Sequence, residues 1–170
     1  EGANLGSASC LCSLGYFSEE KKEYKQSFYY HALASEKGSA NSHNQLAQHF
    51  ENGWGVKQNI EKAIYHFLEA AKLDDPENET KERDGLLRVP VFPFAAANLG
   101  ILYWKMQKNL GDSSDMLEKR KSLMGLSVYW LLKADKAGHE GAGKFLERIG
   151  INKAELEKLE KNRESQNKTS

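Results

Sequence analysis

The sequence predicts an all-α protein assembled from about three helical hairpins. Two observations support this prediction. Apolar residues recur every three or four positions over long stretches of the chain, as they do on one face of an α-helix, and the same apolar pattern returns in successive segments. A helical hairpin of this length cannot bury its apolar stripe alone, so neighbouring hairpins must cover one another. The sequence therefore favours a stacked helical array.

The clearest hairpin spans residues 42–74. Its two predicted helices are joined by a tight turn in which Gly53 and Gly55 can adopt positive φ at little cost. Asn59 is the expected N-cap of the second helix. The apolar residues with helical spacing are Leu46 and Phe50 on the first helix, and Ala63, Ile64, Phe67, Leu68 and Ala71 on the second.

The same pattern returns on both sides of this hairpin. Downstream, the first-helix pattern is carried by Ala95, Leu99, Gly100 and Tyr103, and the second-helix pattern by Trp130, Leu131, Lys133, Ala134 and Gly138. Upstream, the matching residues are Ala8, Cys12, Tyr16, Tyr30, Ala34 and Gly38, and a last incomplete unit opens with Ala142 and Leu146. We expect the glycine of this pattern, Gly100, to lie where two helices approach closely.

This pattern resembles the Sel1-like repeat family, a relative of the tetratricopeptide solenoids, whose pattern is A-x3-LG-x2-Y-x2-G-x-GV-x2-D-x2-KA-x2-WY-x-KAA-x2-G. The hairpin at 42–74 departs from it at Asn59, where Asp is usual, and at Asp74, where Gly is usual; it matches at Leu46, Gly53, Gly55, Val56, Lys62, Ala63, Ala70 and Ala71. The resemblance covers roughly residues 8–150. It implies a right-handed α/α superhelical solenoid whose first helices line the concave face.

We interpret residues 1–170 as a single repeat domain. Its units are expected at about 8–38, 42–74 and 95–138, with a partial unit at 142–166 that serves as a C-terminal capping helix. Insertions are expected at about 75–94 and 109–120. In the first of these, Leu86–Phe94 is apolar and contains Pro90 and Pro93, which predicts an extended segment docked on the array.

Composition and motif content exclude several classes of function. The formal net charge is zero, so no strong attraction to nucleic acid is expected, and no apolar run reaches the length of a membrane span. Cys10 and Cys12 are expected to be two small buried residues without a mutual disulfide. The five histidines lack the spacing of a metal site, and no nucleophile elbow or phosphate loop occurs. We therefore expect no catalytic residues, no metal and no cofactor.

The outward positions of the first helices are the candidate partner-binding residues. In the first and third units these positions carry apolar groups, whereas in the second unit they are polar and are expected to be solvated. Trp54, between the turn glycines, is either packed against the next unit or an exposed anchor. The candidates are Leu14, Phe17, Asn44, Gln48, Glu51, Trp54, Ile101 and Trp104. The alternative is that the insertion at 75–94 or the N-terminus covers the apolar ones as additional core.

These observations favour a non-catalytic module that binds another protein on the concave face. The resemblance implies adaptor or scaffold roles, and a short array also looks like periplasmic bacterial immunity proteins that neutralise secreted toxins of the type VI effector class. The missing initiator Met leads us to expect a processed or trimmed chain, in the periplasm or alternatively the cytoplasm. The rival interpretations are a fragment of a larger scaffold and an enzyme that binds or hydrolyses β-lactams, as proposed for some family members.

Overall fold

The computed structural model describes residues 7–73, 92–111 and 113–152. Within these ranges every regular element is helical: seven α-helices and one short 3₁₀ turn. Each α-helix packs mainly against the helices that precede and follow it in the chain. This serial packing confirms the predicted all-α class and is consistent with a helical repeat array.

The first hairpin consists of α1 (Ala8–Glu20) and α2 (Tyr24–Glu36). The Ser7 side chain caps α1 by accepting a hydrogen bond from the Cys10 backbone N–H at 3.1 Å. The sequence predicts that α1 ends at Phe17, with a polar loop after it, but the helix continues to Glu20. The chain reverses at Lys22, whose φ of 62° is left-handed. The hairpin is therefore closed by a shorter turn than predicted.

The second hairpin consists of α3 (Ala40–Asn52) and α4 (Ile60–Leu73). Gly53 ends α3 in the left-handed conformation with φ 74°. The Asn59 side chain accepts a hydrogen bond from the Lys62 backbone N–H at 2.9 Å, as predicted for the N-cap of the second helix. Gly55 has φ 68°, and a Cβ there would overlap the Tyr24 backbone. The turn thus needs glycine for its conformation and for its contact with α2.

The third hairpin consists of α5 (Phe92–Lys108) and α6 (Leu117–Lys136), with a 3₁₀ turn at Ser114–Met116 between them; α7 (Glu140–Arg148) follows. Because α5 begins at Phe92, the end of the segment predicted to be extended is helical instead. Pro93 is tolerated in the first turn of a helix, where backbone N–H groups lack helical partners anyway. The rest of the insertion, and the predicted docking of Leu86–Phe94 with it, lies outside the described residues.

The apolar core is strongest in the second half of the array. One buried cluster joins α4, α5, α6 and α7 and is rich in alanine, and a second joins α3, α4 and α5 around Phe67. Trp130 packs against both clusters. Gly100 on α5 is buried against α6: a Cβ there would lie 2.7 Å from Leu131 Cγ and 3.0 Å from Ser127 O. The expected close approach of the third hairpin's helices is confirmed.

The first half of the array has a more polar core. His31 and His49 are fully buried, with ring centroids 6.1 Å apart. His49 Nδ1 donates to the Trp54 carbonyl at 2.7 Å, and in the neutral ring Nε2 then accepts from the Ser27 hydroxyl at 3.1 Å. His31 Nδ1 lies 3.4 Å from Ser42 Oγ. Burial, with a smaller repulsion from His49, lowers the pKa of His31 to about 4.

Gly100→Ala should destabilise the protein by roughly 1–3 kcal/mol, because the added methyl group overpacks the α5–α6 contact. The matched control is Gly125→Ala, a glycine within α6 whose added Cβ meets nothing within 4 Å. That change should raise stability by up to about 1 kcal/mol through helix propensity. Urea unfolding followed by circular dichroism measures both. Equal effects of the two substitutions would contradict the close packing at Gly100.

Stability should fall as the pH drops from about 6.5 towards 4. The folded pKa of His31 lies below its unfolded value, so the unfolded chain binds more protons in this range. The expected loss is about 1.4 kcal/mol per pH unit for this one group, and His66, whose pKa burial also lowers to about 4, adds to it. Urea unfolding at pH 7, 6 and 5 measures the slope. His31→Gln should be less stable at pH 7 but lose less on acidification; an unchanged slope would disprove the assignment.

Candidate protein-binding surface

The first helices of successive hairpins are bridged by side chains. Asn98 on α5 donates a hydrogen bond to the Asn44 side chain on α3 at 3.3 Å, and Lys105 on α5 pairs with Glu51 on α3 at 2.7 Å. On the other side of α5, the ring of Trp104 meets Phe145 on α7. Helices α3, α5 and α7 therefore lie side by side. We call their common outer side the first-helix surface.

Asn44 corrects one prediction about this surface. The sequence predicts a solvated side chain, but Asn44 is only 9% exposed and is hydrogen-bonded to Asn98. Ala97, the equivalent residue of the third hairpin, is also buried. This helix position faces the neighbouring first helix rather than solvent. Asn44 therefore joins α3 to α5, and a contact with a partner is not required to explain its amide.

Glu51 and Gln48 form the polar part of the first-helix surface. Lys105 Nζ lies 2.7 Å from Glu51 Oε1, and the Glu51 side chain is only 13% exposed whereas that of Lys105 is 53% exposed. Gln48 is half-buried one helical turn earlier on α3. An ion pair this open to solvent contributes at most about 1 kcal/mol to stability. The main consequence of this ion pair is that the Glu51 carboxylate on α3 is already neutralised by Lys105 on α5.

Trp104 and Phe145 form the aromatic part of the surface. Their ring centroids are 5.3 Å apart with an interplanar angle of 86°, the edge-to-face arrangement that aromatic rings favour. Ile101 and Phe145 pack against the alanine-rich cluster, but in the described part of the chain Trp104 packs against neither of the two largest buried clusters. Trp104 is half-buried. Trp104 thus lies above the core rather than within it.

Cations lie next to both rings. Lys108 Nζ is 5.6 Å from the centroid of Trp104, and Arg148 Cζ is 4.7 Å from that of Phe145. Lys105, Lys108, Phe145 and Arg148 were not among the sequence-predicted candidates. The sequence could have predicted the two ring–cation pairs. Lys108 follows Trp104 by four residues and Arg148 follows Phe145 by three, and these spacings place the ring and the cation of each pair on one helix face.

The candidates on α1 differ from one another. Phe17 is 55% exposed, with Lys21 Nζ 4.1 Å from its ring centroid, and Leu14 is half-buried. Cys12 is buried as expected, but Cys10 is exposed, contrary to the prediction. Tyr16, predicted to lie in the core, is also more than a third exposed. The reason is position: α1 is the first described helix, and no described element covers its outer side.

Trp54 packs back on the preceding hairpin. Its ring stacks on Tyr24 with centroids 5.6 Å apart and an angle of 21°. The sequence left open packing against the next unit or an exposed anchor, and the observed contact is with the previous unit instead. The close approach of Gly55 to the Tyr24 backbone explains this, because it draws the turn onto the start of α2. Trp54 therefore connects the first two hairpins.

His43 and His66 form a second contact between histidine rings. His43 Nδ1 and His66 Nδ1 lie 3.0 Å apart between α3 and α4, and burial lowers the pKa of both rings.

In the described residues, no group of three or more His, Cys, Asp and Glu side chains is placed to hold a metal ion. None of the described helices has the length and apolar character needed to cross a membrane.

Hairpins packed in series, with their first helices bridged side by side, define a helical repeat protein. The Sel1 repeat model matches residues 3–39 and 40–75, so the first two hairpins belong to the Sel1 repeat family, as the sequence predicted. A solved structure, that of a Sel1 repeat protein from Oxalobacter formigenes, aligns with a TM-score of 0.45 and 16% sequence identity. The alignment covers 85% of this chain and 45% of that one. Comparison with curated proteins finds no match.

Trp104→Ala should lower stability by no more than about 2 kcal/mol, because the ring lies above the core and its removal leaves no closed cavity. Trp130→Ala is the matched control: this ring packs against both clusters, so its loss should cost roughly 3–5 kcal/mol. Thermal unfolding of the two variants provides the comparison. A loss at Trp104 as large as that at Trp130 would show that Trp104 belongs to the core.

Proposed function

We propose that this chain is a non-catalytic protein-binding module that holds its partner on the first-helix surface. The observation that carries the proposal is the Trp104–Phe145 pair, which spans α5 and α7 above the buried clusters. Large aromatic side chains dominate the binding energy of protein interfaces. Sel1 repeats, matched over the first two hairpins, point to the same class of function.

The contact residues proposed on this surface are Gln48, Glu51, Ile101 and Trp104. Phe17 and Leu14 extend the surface on α1, where Phe17 is the most exposed of the predicted candidates. Asn44 and Trp54 have packing partners within the chain, so in this proposal they position the helices rather than contact the partner.

The enzyme alternative has less support. The side chains most suited to acid–base chemistry are the histidines, and among the described ones His31 and His49 are fully buried between helices, where a substrate cannot reach them. His43 and His66 contact each other across α3 and α4. Each of these rings already has a packing role. A general base must instead lie within hydrogen-bond reach of a bound substrate.

The finer proposal is a bacterial immunity protein that binds and neutralises a secreted toxin in the periplasm. Its support is the idiosyncratic insertions predicted at 75–94 and 109–120, which suit one dedicated partner. An adaptor or scaffold fragment is the alternative. Expression of the chain with a periplasmic leader, together with each candidate toxin from its genomic neighbourhood, tests this: rescue of growth supports immunity. Failure to rescue against every neighbouring toxin would favour the adaptor.

The partner should contact α3 and α5. A photo-crosslinking amino acid at Gln48 on the first-helix surface should capture it in the host cell, whereas the same group at Tyr65, 55% exposed on α4, should not. With the captured partner purified, Trp104→Ala should weaken binding by about 2 kcal/mol, roughly 30-fold. Tyr65→Ala is the control and should leave the affinity unchanged. Stronger capture or a larger loss of affinity at Tyr65 would place the interface on the second helices instead.

A further inference from the structure

We propose that the C-terminal part of the first-helix surface is built for an acidic segment of a protein, with carboxylates next to an apolar side chain. This inference rests on the proposed function and specifies the partner's chemistry. The site consists of Trp104, Lys108, Phe145 and Arg148, which we call the aromatic–basic patch. The apolar side chain would lie against the two rings, and Asp or Glu side chains would pair with Lys108 and Arg148.

The contacts make the patch one continuous feature. The edge-to-face contact of 5.3 Å joins the rings across α5 and α7, and each ring carries its own cation, at 5.6 Å for Lys108 and 4.7 Å for Arg148. Each ring therefore has a cation beside it and shares its edge-to-face contact with the other ring. A segment that lies across α5 and α7 here can contact both rings and both cations.

Both rings have a cation beside them although the formal net charge of the whole chain is zero. Helix α5 contains no acidic residue, and the nearby carboxylate of Glu51 is paired with Lys105. Helix α7 carries Glu140 and Glu147, but the described side chains place no carboxylate within 4 Å of the Lys108 or Arg148 cation. Lys144 is a further exposed cation and, with Arg148, the second on α7. Among the described residues, the Lys108 and Arg148 cations therefore have no carboxylate within ion-pair distance.

Ring geometry favours carboxylates over nucleic-acid bases. Base stacking needs an open ring face, but Lys108 lies over a face of Trp104 and Arg148 over a face of Phe145, and the edge-to-face contact occupies another. Ring edges are the positive part of an aromatic ring. Ring edges and cations together attract carboxylate oxygens, and the apolar body of the rings accepts an aliphatic or aromatic side chain.

A random twelve-residue peptide library displayed on phage, selected on the full chain, tests the proposal. Selected peptides that bind the parent chain but not the Trp104→Ala variant should be enriched in Asp and Glu next to an apolar residue. For a synthetic selected peptide, the double variant Lys108→Glu/Arg148→Glu should weaken binding at least 30-fold, and affinity should fall as salt is raised. The matched control, Lys25→Glu/Lys119→Glu, changes net charge equally at exposed positions on α2 and α6 and should leave affinity nearly unchanged.

The other outcomes separate this inference from the proposed function. The acidic preference would be overturned if the Trp104-dependent peptides are neutral or basic, or if they bind the charge-reversed variant as well as the parent. The proposed protein-binding function would still hold in that case. If no selected peptide depends on Trp104, both proposals fail. Single-stranded poly-U RNA serves as a separate probe: binding that the double variant abolishes would assign the patch to nucleic acid and overturn the inference. Lys108→Gln/Arg148→Gln, which avoids new negative charge, should give a smaller loss of peptide affinity in the same direction.

Discussion

Close approach of neighbouring helices is the constraint on which the rest of this structure depends. Each hairpin has too little surface to bury its own apolar stripe, so every helix needs the one before and the one after it. Small residues make that approach possible. Gly100 lets α5 meet α6 at Leu131, and Gly15 lets α1 meet the ring of His31 on α2, where a Cβ would lie within 2.8 Å of three ring atoms.

The two halves of the array fill their cores with different chemistry. In the second half, alanine and leucine fill the space between α4 and α7. In the first half, buried histidine and serine side chains pair with one another, Ser27 with His49 and His31 with Ser42. A protonated ring would need a counter-charge that the surroundings of His31 do not supply: the one charge-bearing group acting on its pKa is another histidine.

The sequence was informative about contacts within a hairpin and less so about contacts between hairpins. The period of the pattern placed Leu46 and Leu99 in the core, and a local capping signal identified Asn59. The prediction for Asn44 was wrong because a polar residue was expected to face solvent. Its side chain instead faces α5, the first helix of the next hairpin, and the periodicity of the sequence cannot reveal that contact. Phe145 was missed for the same reason, since its contact with Trp104 joins residues that are 41 positions apart in the sequence and adjacent only in space.

Serial packing also limits where a partner can bind. A first helix packs one side against the second helix of its own hairpin and other sides against the adjacent hairpins. Its outer side is then not covered by these helices. Side chains there can change without opening a cavity, so they are the positions at which specificity can evolve at little cost in stability. On α5 that side carries Trp104, Lys105 and Lys108; Lys105 is paired with Glu51, and Lys108 has no carboxylate within ion-pair distance among the described residues. An aromatic ring beside such a cation, above the buried clusters, supports the proposal that this side of α5 contacts a partner.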